Sequence, residues 1–284
     1  MKKTLSIGMC THDDIHGVYF SLQALRLYHP IVQTDAVELI VVDNNPESVH
    51  GQALQKWIKG WCQAKVKYIP YTEKKSTSSR NLIFENAEGK YCISMDCHVM
   101  FPTGSLEYLL AYYKDKPNCK DLVQGPLMYD NIHGYSTHFK PMWGGDMYGQ
   151  WGKNTEECEK GVPFDIPMQG LGVFSCETKN WLGFNPLFKG FGGEEGYIHE
   201  KFRQHGGRAV CIPQFKWLHR FLRPDGVTYP LVLEDRVWNY FVGWLELKKD
   251  PSHPMIKEIY DNFSKRMKKE KIDEILRLAI QTIT

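Results

Sequence analysis

The chain has 284 residues, a length that suits one large domain or two small ones and leaves ample room for a buried core. Hydrophobic residues make up 42% and charged residues 24%, which excludes a disordered, collagen-like or coiled-coil chain. The net charge of +2 excludes a global field that would demand a polyanionic partner, but it does not exclude a local basic patch.

Short apolar runs alternate with amphipathic stretches as far as Tyr113. The predicted strands are Leu5–Met9, Glu38–Val42, Val66–Ile69 and Tyr91–Met95, and the predicted helices are Val18–Tyr28, Ala53–Cys62, Arg80–Glu88 and Ser105–Tyr113. The apolar run LIVV in the second strand is typical of a parallel strand covered on both faces. This alternation predicts an α/β fold with a mainly parallel central sheet flanked by helices.

The second half of the chain is less regular. Residues 131–167 are rich in Gly, Trp, Tyr, His and Met without a clear period, and we predict a long functional loop there. The elements predicted after it are a strand over Gly172–Ser175, a helix over Glu194–His205, a strand over Ala209–Ile212 and a helical tail from Val237 to Ile283. We therefore expect a main domain over residues 1–235 and a helical C-terminal extension over residues 236–284.

Cysteine usage and the lack of long apolar runs predict the compartment. The eight cysteines are Cys10, Cys62, Cys92, Cys97, Cys119, Cys158, Cys176 and Cys211. None forms a C-x-x-C pair, and several lie in apolar strand-like runs, which favours buried free thiols over a disulfide framework. The first apolar run is too short for a signal peptide, and no run reaches the roughly 18 residues of a membrane helix. We therefore expect a soluble cytoplasmic protein without membrane contact.

Polar residues follow three of the predicted strands. The first strand leads into Cys10–Asp14, the second into Asp43–Asn45, and the fourth into Asp96–His98. In a parallel sheet the carboxyl ends of strands meet at one edge, which is where ligands bind. Asp and Asn also favour turns and helix caps, and for the two aspartates before the first helix we prefer the cap.

The segment Asp96-Cys97-His98 is the sharpest of these signals. In an extended segment residues i and i+2 point the same way, so Asp96 and His98 can hold one ion from one side. A carboxylate with an imidazole suits Mn²⁺ better than Ca²⁺ or Mg²⁺, which prefer oxygen ligands. Two ligands suit a site completed by a diphosphate. His219, after a later predicted strand, is a candidate third ligand.

A second cluster opens the predicted helix over Glu194–His205. Glycines 190, 192 and 193 precede it, and glycine permits close backbone approach. Glu194 and Glu195 are explained either by the helix dipole, which favours acidic residues in the first turn, or by a role facing an acceptor hydroxyl. His199 and His205, further along this helix, are expected at the surface.

These segments, taken in order, resemble the GT-A fold nucleotide-sugar glycosyltransferases over residues 4–240. The segments that carry the resemblance are LSIGMCTHDD, IVVDNN, SSRNLIFENAEGKYCISMDCHV, GFGGEEGYIHEKFRQHGGRAVCIP and WLHRF. The first three are similar to the start of the large inverting glycosyltransferase family. The D-x-H triplet and the later segments resemble the retaining polypeptide N-acetylgalactosaminyltransferases, with Phe191 in place of that family's Trp.

The resemblance implies a metal-dependent enzyme that moves a hexosyl or N-acetylhexosaminyl group from a UDP-sugar to an acceptor hydroxyl. It implies that Asp96, His98 and His219 bind Mn²⁺ together with the UDP diphosphate. The residues that it assigns to the nucleotide sugar are Thr11, Asp43, Asn44, Arg80, Gln169, Gly170 and Gly193. The catalytic candidates are Glu194 and Glu195. A general base at either would give inversion, whereas the D-x-H likeness favours retention without a carboxylate base.

The acceptor stays open between a polypeptide hydroxyl, a glycan hydroxyl and a hydroxymethylated pyrimidine in DNA. The segment KRMKKEK at residues 265–271 carries five positive charges that could meet phosphates, or it forms a solvated helix face. Aromatic rings in the predicted loop could stack a sugar or a flipped base. These are Tyr135, His138, Phe139, Trp143, Tyr148 and Trp151. A non-catalytic nucleotide-sugar-binding module is the alternative from another class, and the intact metal triad disfavours it.

Overall fold

The computed structural model describes residues 3–60, 66–73, 75–223 and 226–283. Cys62, which ends our second predicted helix, lies outside these residues. The strands of the described part are β1 (Leu5–Thr11), β2 (Val37–Asp43), β3 (Val66–Pro70), β4 (Tyr91–Asp96), β5 (Val99–Met100), β6 (Leu122–Gln124), β7 (Leu127–Met128), β8 (Tyr135–Ser136), β9 (His138–Gly144), β10 (Met147–Gly152), β11 (Phe164–Asp165), β12 (Val173–Glu177), β13 (Ala209–Cys211) and β14 (Trp217–His219). The helices are α1 (Ile15–Tyr28), α2 (Val49–Gly60), α3 (Asn81–Glu85), α4 (Ser105–Asp115), α5 (Thr155–Lys160), α6 (Glu195–Gln204), α7 (Leu233–Lys248), α8 (Pro254–Phe263) and α9 (Lys269–Ile283).

The main sheet has eight strands in the order β11-β13-β6-β12-β4-β1-β2-β3. Strands β3, β2, β1 and β4 are parallel, as the sequence predicts. Strand β12 runs antiparallel to its neighbours β4 and β6, while β13 is parallel to β6 and β11 antiparallel to β13. The predicted α/β fold with a mainly parallel sheet is therefore confirmed.

The register of the parallel strands places three polar segments side by side. Thr11 pairs with Asp43 at the ends of β1 and β2, and Cys10 pairs with Asp96 at the ends of β1 and β4. All residues of β2 are buried, which explains its apolar run. The polar residues after these strands thus share one edge of the sheet.

Two hydrophobic clusters fill the core on either side of the sheet. The first contains residues of α1, α2 and α4, such as Leu22, Leu54 and Leu109. The second contains residues of α6, α7, α8 and α9, such as Tyr197 and Phe241. The C-terminal helices therefore pack into the same core as α6.

The predicted long loop over residues 131–167 is wrong. The region contains the antiparallel β9–β10 hairpin, whose turn uses Gly145 at φ 68°, as well as the short elements β8, α5 and β11. The hairpin lacks a simple alternation because its register shifts between Tyr148 and Gln150. The predicted helix over Arg80–Glu88 is also shorter, since α3 covers Asn81–Glu85 after a 3₁₀ turn over Thr77–Arg80.

A small second sheet in the order β5-β14-β7-β8 lies beside the end of β4. Strand β14 pairs antiparallel with β5, so that His219 lies opposite Val99. Strands of two or three residues leave no periodic signal, and the sequence did not predict β5 or β7. Across the described ranges, no helix combines the length with the apolar character that crossing a bilayer requires.

Candidate functional site

Three potential metal ligands converge at the carboxyl end of β4. His98 Nε2 lies 3.3 Å from His219 Nε2 and 3.8 Å from Asp96 Oδ2, and His219 Nε2 lies 3.5 Å from the same carboxylate oxygen. Asp96 ends β4 and His98 immediately follows it, while the β5–β14 pairing brings His219 from 121 residues further along the chain. The ligand atoms of these three residues lie within 4.8 Å of one another.

The chemistry of these three side chains fits a divalent cation. Two imidazole nitrogens and one carboxylate oxygen face a common point, and this donor set suits Mn²⁺ or a similar transition metal. Arg223 Nη1 lies 2.7 Å from His98 Nε2, so a positive group already lies beside the ligand atoms. Because like charges repel, a cation bound at this point would displace the Arg223 guanidinium from His98 Nε2.

Asp14 orients the His98 ring from the other side. Its Oδ2 lies 3.3 Å from His98 Nδ1, and its Oδ1 accepts a hydrogen bond from Gly17 N at 2.7 Å as the N-cap of α1. The carboxylate favours the tautomer that carries the proton on Nδ1, which leaves the Nε2 lone pair for a metal. The cap that we preferred at this position is therefore present, and the same carboxylate also contacts a candidate ligand.

Electrostatics keep these groups in the forms that bind metal. Burial opposes ionisation of Asp96, but His219, Arg80 and His98 outweigh it and hold the pKa of the carboxyl well below its usual range. Burial likewise opposes ionisation of Asp14, yet His98 and Gly17 lower its pKa to about 2. Burial lowers the pKa of His98, which favours the neutral imidazole. Ionised carboxylates and neutral imidazoles are the metal-binding forms.

We predict that Asp14→Asn weakens Mn²⁺ binding by about tenfold, the lower end of the range for partners that orient metal ligands. Asparagine caps helices as well as aspartate does, so the change removes the charge beside His98 without removing the cap. Calorimetric titration with Mn²⁺ measures the affinity. Asp13→Asn is the matched control, because Asp13 bonds to Asn45 instead. Equal affinities for the two variants would refute this role of Asp14.

Arg80 links the metal-ligand cluster to the start of α6. Its Nη2 donates to Asp96 Oδ1 at 3.1 Å, and its Nη1 lies 3.5 Å from Glu194 Oε1 and also bonds to Thr77. Thr77 Oγ1 donates to Glu194 Oε1 at 2.9 Å. The side chains of Arg80 and Glu194 are 7% and 1% exposed, so this is a buried ion-pair network.

A cavity of about 790 Å³, counting its open mouth, lies next to the ligand cluster. Among its lining residues are five that the sequence analysis assigned to the site, namely Thr11, Asn44, Arg80, Asp96 and His98. Thr11 Oγ1 is buried and has no hydrogen-bond partner within the described part of the chain. Asn44 Oδ1 accepts a hydrogen bond from Ser79.

Asp43 does not line this cavity. Its Oδ2 accepts a hydrogen bond from the Tyr68 hydroxyl at 2.7 Å, and its Oδ1 accepts one from Asn45 N at 2.9 Å. The residue is 1% exposed. In this arrangement the carboxylate fixes the turn after β2.

Gln169 and Gly170 lie in a buried hydrogen-bond network before β12. Gln169 Nε2 donates to Thr137 O at 2.7 Å and to Gly125 O at 3.1 Å. Gln124 Nε2 donates to Gly170 O at 2.8 Å. Neither Gln169 nor Gly170 is among the residues that line the cavity.

The expectation that His199 lies at the surface is wrong. It is fully buried, with Nε2 at 2.6 Å from Gln124 Oε1 and Nδ1 at 2.6 Å from Glu195 O. Its position on the inner face of α6 turns it toward the strand that carries Gln124. His205, at the end of α6, is exposed as expected.

The glycine-rich turn before α6 packs against α7. Gly193 has φ 92°, and a Cβ there would lie 3.2 Å from Asn239 Cβ, so a side chain would be strained and crowded. Burial and the neighbouring Glu194 carboxylate raise the pKa of Glu195 to about 8. The two glutamates thus differ, since Glu194 is paired with Arg80 while Glu195 favours the protonated form.

Three residues that the sequence did not predict for the site reach the cavity from the segment after β14. Arg223, Thr228 and Tyr229 line the cavity, and Thr228 Oγ1 donates to His12 O. The Tyr229 ring lies 4.8 Å from the ring of Phe191. No local pattern indicated that this loop folds back, although its position directly after His219 is a signal.

Comparison with known families identifies the family and the fold of the chain. Residues 6–170, more than half of the chain, match the family model described as glycosyl transferase family 2. The chain belongs to this family. The predicted membership of the GT-A glycosyltransferases, which use nucleotide sugars, is thereby confirmed, and so is the prediction of a glycosyltransferase. No curated protein sequence matches the chain.

Solved glycosyltransferases share the fold at low sequence identity. GalNAc-T7 with UDP, GalNAc and Mn²⁺ superposes with a TM-score of 0.68 at 16% identity over 92% of this chain, which spans 54% of that protein's chain. S. aureus TarS in complex with UDP-GlcNAc gives 0.60 at 15% identity, covering 99% of this chain and 82% of that one. The mannosyltransferase PcManGT from Pyrobaculum calidifontis, with GDP-Man and Mn²⁺, gives 0.55 at 13%, covering 99% and 75%. This chain thus spans about half the length of GalNAc-T7.

Proposed function

We propose that this glycosyltransferase moves a sugar from a UDP-sugar to an acceptor hydroxyl with the help of a divalent cation, best Mn²⁺. The convergence of Asp96, His98 and His219 beside the cavity carries the proposal. When bound, the cation would supply positive charge to the departing diphosphate. The solved complexes of GalNAc-T7 and PcManGT with Mn²⁺ support the choice of metal.

The cavity residues would bind and orient the nucleotide. The free hydroxyl of Thr11 and the amide of Asn44 lie at the ends of β1 and β2, where they would face the base and ribose. Asp43 would hold this loop through its bond to Tyr68. Arg80 would add positive charge near the phosphates while it fixes Asp96. Arg223 would move from His98 toward the diphosphate.

The start of α6 and the segment before β12 would shape the sugar pocket. Gly193 gives the turn its close approach to α7, and the hydrogen bonds of Gln169 and the Gly170 carbonyl fix the segment before β12. Glu194, held by Thr77 and Arg80, would accept hydrogen bonds from sugar hydroxyls through its unpartnered Oε2. Among the described residues, Glu194 Oε2 has no hydrogen-bond partner.

The environment of the glutamates supports retention of configuration. Glu194 is tied to Arg80, and the pKa of Glu195 near 8 keeps that carboxyl mainly protonated at neutral pH, so neither is a ready general base. In the proposed step the bond from sugar C1 to the phosphate oxygen breaks and a bond from C1 to the acceptor oxygen forms on the same face. The acceptor proton passes to an oxygen of the departing UDP.

A donor screen tests the proposal. With Mn²⁺ present, a UDP-sugar at 100 times its Kd should stabilise the protein by about 2.7 kcal/mol. For a chain of this size, that raises the unfolding temperature by about 4 to 5 °C. GDP- and CMP-sugars at equal concentration serve as controls, and chelation of the metal should remove the shift. No shift with any UDP-sugar, or an equal shift after chelation, would refute the assignment.

We also propose that the protein is located in the cytoplasm. The cysteines of the described residues, seven in number, are free, and five of them are buried. Free thiols persist in a reducing compartment.

A further inference from the structure

Exposed positive charge outside the site is concentrated in the basic segment, defined as Lys265–Lys271, which runs from the turn after α8 into the first turn of α9. Lys265, Arg266, Lys268 and Lys269 are all exposed. Lys271 pairs with Glu274 at 3.0 Å, and Arg266 lies 3.9 Å from Asp146. Within the part of the chain that the structure describes, no acidic side chain pairs with Lys265, Lys268 or Lys269. Three cations are therefore available to an external anion.

The fold gains little from these charges. Lys269 and Lys271 lie in the first turn of α9, where positive charge opposes the helix dipole. The apolar residues of this region, such as Phe263 and Ile272, supply the packing instead. Binding of an anionic partner therefore explains these positive charges better than a contribution to the stability of the fold does.

The β9–β10 hairpin connects the basic segment to the metal-ligand cluster. At its turn, Gly145 O accepts a hydrogen bond from Asn262 of α8, and Asp146 lies between Arg236 and Arg266. Trp151 lies at the other end of the hairpin. It is five residues after Asp146, which corresponds to about 17 Å at about 3.4 Å per strand residue. The hairpin therefore spans the distance from the exposed cations to the active-site end.

Exposed aromatic rings mark the active-site end of the hairpin. Trp151 is 42% exposed and Phe221 is 46% exposed, and their ring centroids are 6.2 Å apart. The Phe221 ring lies 4.1 Å from the ring of His219. By contrast, Phe139 is buried and Trp143 packs against Tyr240, so Trp151 is the hairpin ring best placed to stack a ligand.

We propose that this strip, from the basic segment along the hairpin to Trp151 and Phe221, binds a nucleic acid strand whose base carries the acceptor alcohol. The inference rests on the proposed function. Cations at one end suit phosphates, and aromatic rings at the other end suit a splayed base. A length of about 17 Å corresponds to roughly five nucleotides at 3.4 Å per nucleotide along one strand.

The proposed reaction needs an alcohol as acceptor. A base stacked beside His219 presents its own substituents to the donor sugar, and because unmodified bases carry no alcohol, we infer a base with a hydroxymethyl group. The bond from sugar C1 to the UDP oxygen would break, the bond from C1 to the hydroxymethyl oxygen would form, and the alcohol proton would leave with UDP. DNA and RNA share this chemistry, and the experiment distinguishes them.

The first experiment uses fluorescence anisotropy to measure binding of fluorescently labelled 20-nucleotide DNA and RNA, each single- and double-stranded. Neither nucleotide sugar nor metal is added. For about three phosphate contacts, log K against log salt should have a slope of about −2 to −3. Raising salt from 50 to 200 mM should then weaken binding roughly 16- to 64-fold. The triple variant Lys265→Gln, Lys268→Gln, Lys269→Gln should bind at least about tenfold more weakly at 50 mM, with a slope near zero.

The matched control removes the same charge from the opposite side of the sheet, with Lys56→Gln, Lys59→Gln and Lys114→Gln on α2 and α4. This control should bind like the unaltered protein. Equal loss in both triple variants, no binding to any oligonucleotide at 50 mM salt, or binding only to vesicles with 30% phosphatidylserine would overturn the proposal. Unchanged unfolding temperatures would show that both variants fold.

The second experiment measures sugar transfer to an oligonucleotide with one 5-hydroxymethylcytosine, against the same oligonucleotide with cytosine. We expect transfer only to the modified base, and about 10- to 100-fold less with Trp151→Ala. If UDP is released in the presence of Mn²⁺ but no modified oligonucleotide is glycosylated, the acceptor inference fails while the proposed function stands. If no nucleotide sugar is turned over or bound, the proposed function itself fails.

Discussion

Replacing His98 with alanine should abolish Mn²⁺-dependent release of UDP from a UDP-sugar, with a loss of at least about 100-fold. Loss of a group that merely orients a ligand costs 10- to 100-fold in metal affinity or activity, and His98 is itself a candidate ligand. Its Nε2 lies 3.3 Å from His219 Nε2 and 3.8 Å from Asp96 Oδ2. Without it, Asp96 and His219 would hold the cation through only two side chains.

The measurement combines UDP release with calorimetric titration of Mn²⁺. His205→Ala is the matched control, because it removes an exposed histidine from the end of α6. We expect the control to retain both activity and metal affinity. Mn²⁺ affinity in His98→Ala equal to that of the control would show that the metal binds elsewhere.

Much of the fold follows from local sequence because the first half of the sheet is built from consecutive βα units. Each of β1, β2 and β4 is an apolar run followed by a polar turn, and parallel pairing brings those turns to one edge. The D-x-H segment after β4 could therefore be assigned to the site directly. The position of Thr11 opposite Asp43 follows from the same register.

The remaining parts of the site depend on contacts between distant segments. His219 reaches His98 through two-residue and three-residue strands, which are too short to give a pattern. Asp14 reads as a helix cap, and only the folded chain shows that it also contacts His98. The Asp43 carboxylate, which the resemblance assigns to the nucleotide sugar, accepts a hydrogen bond from Tyr68, 25 residues away.

The burial of His199 has a similar cause. A histidine among charged residues on a short helix reads as exposed, and its burial is decided by Gln124 on β6, a strand that the sequence did not reveal. The β9–β10 hairpin was hidden by its register shift. The burial of His199 is thus tertiary in origin, since its partner Gln124 lies 75 residues away, whereas the hairpin was missed because a local irregularity breaks its alternation.

Replacing Arg80 with methionine should lower the free energy of unfolding by about 3 to 5 kcal/mol, because it leaves the buried Glu194 and the partly buried Asp96 without their shared cationic partner. Methionine keeps much of the apolar length of the side chain, so the loss reports mainly on charge. Chemical denaturation without metal measures it. Arg277→Met on the exposed face of α9 is the matched control and should change stability by less than about 0.5 kcal/mol.

A double-mutant cycle separates the buried charge from lost packing. Glu194→Gln removes one of the two carboxylates that Arg80 contacts, so the cost of Arg80→Met should fall by about 1 to 3 kcal/mol in that background. Additive losses would mean that Glu194 is stabilised by Thr77 and not by the guanidinium. In that case Arg80 would pair with Asp96 alone. Removal of Arg80 should then lower the affinity for Mn²⁺ and leave the packing of α6 on the sheet largely unchanged.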